Sequence, residues 1–189
     1  MTLDRELIRF NALRNALYHT ARRLTFDRWN RWGNAFVLLL GAASMSQVLT
    51  VYGIRELWVG AAVAIVGSLQ LVFDFGGRAR DHQSLQRDYF HLLAEIEEVP
   101  APDELQLAKW SGRMMKIAGE EPPMLRALDA KAYNDAIDAS GLFPASERVI
   151  IPVLHKLFGN FWAFEGYSYR KIGESRVMIP AVDLPNAAE

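Results

Sequence analysis

Two long uncharged stretches lie close together in the N-terminal half of the chain. Residues 32–54 contain no charged side chain, and neither do residues 57–73. A helix needs about 20 apolar residues to cross the hydrocarbon core of a bilayer. Tryptophan and tyrosine favour the headgroup level of a bilayer. The aromatic residues near the borders of the two stretches are Trp29, Trp32, Tyr52 and Trp58. We therefore predict two transmembrane helices, over residues 33–53 and 57–76.

The connection between the two predicted spans is only a few residues long, so the spans must be antiparallel neighbours. A buried helical hairpin in the core of a soluble bundle is the alternative interpretation. Two consecutive uncharged runs with aromatic borders favour the membrane.

The segments that flank the spans have helical periodicity. In residues 3–30, apolar side chains recur at alternating three- and four-residue spacing, interrupted once by Arg14. These positions are Leu3, Leu7, Phe10, Leu17, Ala21 and Leu24. The spacing fits either a heptad seam or a plain core-facing stripe. Residues 78–99 keep heptad spacing at Leu85, Tyr89, Leu92, Ile96 and Val99. We predict that the two seams pair as an antiparallel coil, so that residues 1–99 form one long helical hairpin.

Residues 100–176 are predicted to form a cytoplasmic helical region. Helices are expected over 104–118, with Asp103 as N-cap, and over 124–139. Residues 147–166 are a last apolar segment that contains Pro152, His155 and Lys156. This segment either lies at the membrane interface or packs on the cytoplasmic helices, and residues 177–189 are an irregular tail.

Basic residues predict the orientation in the membrane. Residues 1–33 hold seven arginines, whereas the short connection holds only Arg55. Arg78, Arg80 and Arg87 follow the second span. We expect a multi-pass protein of the bacterial inner membrane with both termini in the cytoplasm. The charged first thirty residues do not resemble a signal peptide.

Composition and motifs argue against several classes of function. The net charge is -1, which does not suggest a nucleic-acid-binding protein. The absence of cysteine excludes a disulfide framework, a thiolate zinc site and a cysteine nucleophile. The chain contains no glycine-rich phosphate loop, HExxH or GxSxG motif. His91 and Glu95 have helical metal-ligand spacing, but two ligands alone favour a solvated pair. We expect neither an enzyme nor a cofactor.

Polar side chains within the spans are the remaining candidates for a site. They are Ser44, Gln47, Gln70 and Asp74. In one interpretation they form hydrogen bonds between packed helices. In the other they line a pore of a homo-oligomer, with Asp74 as a charged ring at the cytoplasmic mouth. Two helices cannot enclose a water-filled path, so a pore requires several copies.

The layout resembles the SLATT family, the two-transmembrane effectors associated with nucleotide-based bacterial conflict systems. The resemblance covers roughly residues 5–141. The segments that carry it are RARDH (78–82), LQRDY (85–89), LLAEIE (92–97), GEEPPMLRAL (119–128) and AYNDA (132–136). It implies an all-α membrane protein that acts as a pore-forming effector in antiviral defence. No nucleotidyltransferase or nucleotide-sensing domain is recognised in this sequence, so the resemblance implies one of two arrangements. Either a separate sensor of a nucleotide signal or of infection is the partner, or the effector responds directly through its cytoplasmic helices.

Two functions follow as expectations. The first is a homo-oligomeric, channel-like membrane effector gated through its cytoplasmic helices. The second is a non-catalytic membrane anchor or scaffold that recruits a cytoplasmic partner. The aromatic residues of the last apolar segment would then form the docking surface: Phe158, Phe161, Trp162 and Phe164.

Overall fold

The computed structural model describes residues 5–42, 51, 53 and 56–174. The regular secondary structure of these residues is helical. The helices are α1 (Arg5–Gly41), α2 (Glu56–Phe73), α3 (Phe75–Glu98), α4 (Glu104–Ala118), α5 (Arg126–Ser140) and α6 (Val153–Phe158), with a 3-10 turn at Ala145–Glu147. No β-strand occurs among the described residues, where Val149 and Lys171 form an isolated antiparallel bridge. The predicted all-α class is therefore confirmed. The predicted tail, residues 177–189, lies outside the described residues.

α1 and α3 pack side by side in antiparallel directions. At one end, the Arg5 guanidinium donates hydrogen bonds to the backbone carbonyls of Ile96 at 2.9 Å and Val99 at 3.2 Å. At the other end, the rings of Phe26 and Phe75 stack with centroids 6.4 Å apart. Ala12 and Ala16 of α1 lie between these two contacts and are fully buried. Their small side chains allow the backbones of α1 and α3 to approach closely. The shared core consists of Ile8, Ala12, Ala16, Leu85, Tyr89, Leu92, Ile96, Trp110 and Ile117.

The seam predicted on α3 is confirmed, because Leu85, Tyr89, Leu92 and Ile96 are all buried in this core. The seam predicted on α1 is partly wrong. The side chains that face α3 are Ile8, Ala12, Ala16, His19 and Phe26. Of the predicted positions, Phe10 and Leu17 instead face α5, and Leu24 is half exposed.

The reason for this difference is that α1 is covered on two sides. Phe10 makes edge-to-face contacts with Tyr133 of α5 and with Phe143 just after it. Arg14, which interrupts the apolar pattern, forms an ion pair with Asp129 on α5, with 2.8 Å between Nε and Oδ1. The apolar positions of α1 therefore serve two neighbours, and the core-facing stripe describes them better than a single heptad seam.

α4 packs on both α1 and α3, and α5 packs on α1. α4 begins and ends as predicted, and the Asp103 carboxylate accepts a hydrogen bond from the backbone N–H of Gln106 at 2.7 Å. Trp110 of α4 lies in the core formed by α1 and α3. α5 begins two residues later than predicted and ends at Gly141, whose φ of 62° is left-handed. α4 thus shares the core of the α1–α3 pair, whereas α5 packs on α1 in two further clusters, around Phe10 and around Tyr18.

α2 is apolar and exposed. The helical stretch Leu57–Glu98, which α2 and α3 form together, is long and apolar enough to cross a membrane. Within its most apolar segment, only 6% is buried inside the structure. It is the one such helix among the described residues. The C-terminal part of α1 is also exposed and apolar, with Leu38 at 74% exposure. Part of the first predicted span, residues 43–50 and 52, lies outside the described residues.

The chain after α5 folds back onto that helix. The buried side chain of Asn134 donates to the carbonyl of Val149 and accepts from its N–H, at 2.9 and 2.8 Å. Backbone hydrogen bonds then join Ile150 to Arg170 and Ile172 to Arg148. The last predicted apolar segment is therefore held against α5 and contains only the short helix α6.

Candidate functional site

Of the polar residues predicted within the spans, Gln70 contacts α1. Its side-chain Nε2 donates a hydrogen bond to Oδ1 of Asn34 at 3.0 Å. Gly33 makes room for it, because a Cβ at this glycine would lie 2.7 Å from the same nitrogen. Within one chain, this geometry matches the interhelical interpretation of Gln70. Ser44 and Gln47 lie outside the described residues.

A double-mutant cycle tests this contact. We expect Gln70→Leu and Asn34→Leu each to destabilise the α1–α2 pair, because each leaves the other polar side chain without its partner. Their coupling energy should be about 0.6 kcal/mol, and at most about 2 kcal/mol, as for other interhelical hydrogen bonds in membranes. Unfolding in detergent micelles measures it. Strictly additive effects would mean that the two side chains do not interact.

Asp74 marks the joint between α2 and α3. Its backbone is left-handed, with φ 39° and ψ 57°, and its carboxylate accepts a hydrogen bond from the N–H of Gly77 at 2.9 Å. A Cβ at Gly77 would lie 2.0 Å from the Asp74 carboxylate, so only glycine fits there. The helical hydrogen bonds continue on both sides, from Asp74 N to Gln70 O and from Arg78 N to Asp74 O. Asp74 is exposed and acts as the N-cap of α3.

A buried polar cluster lies where α1 packs against α3. His19 is fully buried, His82 is 4% exposed, and their Nδ1 atoms are 2.8 Å apart. His19 Nε2 lies 3.1 Å from Oε1 of Glu121, and the Tyr89 hydroxyl donates a hydrogen bond to the same oxygen. We call these four residues, His19, His82, Tyr89 and Glu121, the histidine cluster. It joins α1, α3 and the Glu-Pro-Pro segment before α5.

Two members of the histidine cluster, His82 and Tyr89, are shifted toward their neutral forms. Burial lowers the pKa of His82 to about 3, with further contributions from the neighbouring His19, Arg22 and Arg78. Burial, and then the hydrogen bond to Glu121, raise the pKa of Tyr89. The facing Nδ1 atoms hold one proton between them, because one nitrogen must donate and the other accept. A second proton at this contact would break it.

His82 is buried on the face of α3 that packs against α1, and the sequence analysis assigned no role to His19. The available signal was positional. Ala12, Ala16 and His19 follow four- and three-residue spacing, which places His19 on one helix face with two small residues. The contact with Glu121 of the Glu-Pro-Pro segment could not be read from sequence, since Glu121 is about a hundred residues away.

A cavity of about 650 Å³ opens next to the histidine cluster, at the level of the α2–α3 joint. We call it the arginine cavity. Among the described residues, Arg22 and Arg78 are the only charged side chains that line it, and six aromatic rings form most of its wall. Those rings belong to Phe26, Trp29, Trp32, Phe73, Phe75 and Phe161. A second cavity of about 580 Å³ adjoins it and reaches His82 and Glu121.

The four aromatic residues predicted as a docking surface do not form one patch. Phe161 stacks on Trp29 of α1 with ring centroids 4.9 Å apart. Phe158 and Trp162 contact each other edge to face, and Phe161 and Trp162 are each 64% exposed. Phe164 stacks on His155 instead, with centroids 3.9 Å apart, and is half-buried.

The pair His91 and Glu95 shows no metal-site geometry. His91 is exposed, and Glu95 forms an ion pair with Arg113 of α4. Throughout the described part of the chain, no group of three or more metal-ligating side chains converges.

Comparison of the chain with protein-family models, with curated proteins and with solved structures finds no match in any of the three. The interpretation of the site therefore depends on the geometry above and on the chemistry of its residues.

Proposed function

We propose that the protein is an integral membrane effector that assembles as a homo-oligomeric pore, with the cytoplasmic helices controlling its opening. The observation that carries this proposal is the exposure of α2. A core helix of a soluble protein would be mostly buried, whereas the most apolar window of this helix is 6% buried. Exposed apolar surface of this extent needs lipid or another protein to cover it. The sequence resemblance to two-transmembrane effectors supports a role in bacterial defence.

The described helices give such a pore a direct connection to the cytoplasmic domain. α1 runs without a break from Arg5 to Gly41. His19 precedes Gly33 by 14 residues, which at about 1.5 Å per residue is about 21 Å along one helix. A change in the packing of the histidine cluster would therefore move the membrane end of α1 as well. This connection supports gating through the cytoplasmic helices.

Leakage from liposomes tests the proposal. We expect the purified full-length chain to release an entrapped ion from liposomes, and we expect its expression to depolarise cells. Silent bilayers across oligomeric preparations and candidate triggers would contradict the pore. Extraction of the protein from membranes by alkaline carbonate would contradict the membrane placement itself.

The variant Asp74→Asn distinguishes two roles of Asp74, a charged ring at the pore mouth and the N-cap of α3. Asparagine keeps an oxygen that can cap α3 and tolerates a left-handed backbone, so the fold should stay intact while the charge is removed. If Asp74 residues form a ring at the cytoplasmic mouth, the variant pore should lose most of its preference for cations. Reversal potentials in planar bilayers measure the effect. Glu98→Gln, at the opposite end of α3, is the matched control and should change nothing.

A second function, a membrane-anchored scaffold, is favoured by the surface around α6. Val153, Leu154, Leu157 and Trp162 are all exposed by more than half. The hydrogen bonds between residues 146–150 and 170–173 hold this surface in place. A scaffold would leave the membrane potential unchanged on overexpression, which distinguishes it from the pore in one measurement.

A further inference from the structure

Arg22 and Arg78 lie side by side in the arginine cavity without an acidic partner. The Arg22 guanidinium carbon is 4.3 Å from the centre of the Phe26 ring, and that of Arg78 is 6.0 Å from the same ring. Arg22 donates one hydrogen bond, to the backbone carbonyl of Asn160 at 3.1 Å. A guanidinium has five donors, so the single hydrogen bond to Asn160 leaves donors on Arg22 available to a ligand. Among the described residues, no carboxylate lies within ion-pair distance of either arginine.

The repulsion between the Arg22 and Arg78 guanidiniums raises the free energy of the folded chain unless an anion binds between them. Two like charges at close range repel each other, and partial burial strengthens the repulsion. Burial, together with the charge of Arg78, lowers the pKa of Arg22. Asp81, Glu120 and Glu121 line the adjoining cavity, and Arg22 and Arg78 contribute to the walls of both cavities. Guanidinium groups bind phosphate through paired, charge-assisted hydrogen bonds.

The walls and position of the cavity indicate what kind of phosphate fits. Trp29 and Trp32 stand where α1 becomes apolar, and Phe73 and Phe75 stand where α2 ends. In the membrane placement proposed above, on which this inference rests, these residues lie at the cytoplasmic headgroup level. The volume of about 650 Å³ is typical of sites for an organic ligand rather than for a single ion. Basic pockets between helices at this level bind anionic lipid headgroups.

We propose that the arginine cavity binds the phosphate of an anionic phospholipid. Arg22 and Arg78 donate hydrogen bonds to the phosphate oxygens, and the aromatic wall formed by Trp29, Phe73 and Phe161 covers the start of the acyl chains. The same lipid joins α1 to the α2–α3 joint and to the chain after α6, since each of these segments contributes to the wall. A soluble phosphate compound shares the charge but would leave the aromatic wall uncovered.

Lipid retention in detergent tests the site. The full-length protein is mixed with micelles containing phosphatidylglycerol or phosphatidylcholine, and bound lipid is counted by native mass spectrometry. We expect the wild-type chain to retain phosphatidylglycerol selectively. The double variant Arg22→Gln/Arg78→Gln should lose about tenfold in affinity, as expected when charge-assisted hydrogen bonds are removed.

The matched control is Arg28→Gln/Arg80→Gln, which removes the same charge from exposed positions outside this cavity and should retain the lipid. Equal losses in the two double variants would mean general attraction to basic surface and would overturn the proposal. Equal binding of the two lipids by the wild-type chain would overturn it without any variant, even if Arg22→Gln prevents folding. Displacement of phosphatidylglycerol by inorganic phosphate at equal concentration would assign the site to soluble phosphates and also overturn it.

These outcomes are independent of the pore. A chain that stays in carbonate-washed membranes but shows no lipid selectivity refutes only the lipid site. A chain that washes off the membrane refutes the placement on which both proposals depend. A silent bilayer with selective lipid retention refutes only the pore.

Discussion

Replacing Trp110 with alanine should lower the free energy of unfolding by about 3–5 kcal/mol, the usual cost of removing a large buried aromatic side chain. Trp110 is 2% exposed and lies in the core formed by α1, α3 and α4. Its removal leaves a cavity that none of these helices can fill, because α1 and α3 are already in contact through their small residues. Urea unfolding in detergent, followed by far-UV circular dichroism, measures the loss.

Two further variants show whether volume is the cause. The indole Nε1 of Trp110 is buried and has no hydrogen-bond partner among the described residues. Trp110→Phe therefore loses volume but no hydrogen bond, and should cost clearly less than alanine. Lys109→Ala changes the exposed neighbour on the same helix and should be close to neutral. If phenylalanine and alanine destabilise the protein equally, the indole N–H has a partner and the cavity explanation is wrong.

Acidification should destabilise the packing of α1 against α3 through His82. The pKa of His82 is lowered to about 3 in the folded chain and is about 6.5 when the chain is unfolded. Between these values the unfolded state binds the proton and the folded state does not, so stability rises with pH. The stabilisation is complete above pH 6.5 and is lost as the pH falls, by at most about 1.4 kcal/mol per unit. Unfolding in urea at pH 7.5, 6.5, 5.5 and 4.5 follows it.

The control for this pH dependence is another histidine of the same helix. His82→Asn removes the titrating group and should reduce the slope below pH 6.5. His91→Asn, at an exposed position of α3, should leave the slope unchanged. The slope, rather than the absolute stability, is the readout, because the first variant also loses the contact with His19. A slope that persists in His82→Asn would assign the effect to another group facing the cluster.

The elements that the sequence predicted well are those whose signal lies within one helix. The heptad spacing of α3 identifies its buried face because only one side of that helix is covered along most of its length. Asp103 identifies the start of α4 because capping is local. The spacing of α1 did not identify its buried face correctly, because Phe10 and Ile8 are buried against different neighbours. Periodicity alone cannot assign each residue to its partner helix.

The candidate site was harder to predict for the same reason. The arginine cavity brings together Arg22, Arg78 and Phe161, which are far apart in the chain, and no local pattern relates them. Gln70 was selected as a polar residue of the predicted second span, but its partner Asn34 was not, because nothing in the sequence fixes the register of α1 against α2. The left-handed backbone of Asp74 is similarly invisible, since only a small minority of aspartates adopt that conformation, although aspartate does so more often than most residues.

The joint at Asp74 gives the two antiparallel partners different mechanical properties. α1 is one continuous helix over Arg5–Gly41, whereas its partner carries the left-handed residue Asp74 between α2 and α3. In the proposed membrane placement, a bilayer thinner than α2 would tilt that helix. We expect the joint at Asp74, one helical turn from Arg78, to take up this tilt. The separation between Arg78 and Arg22 should then change with bilayer thickness.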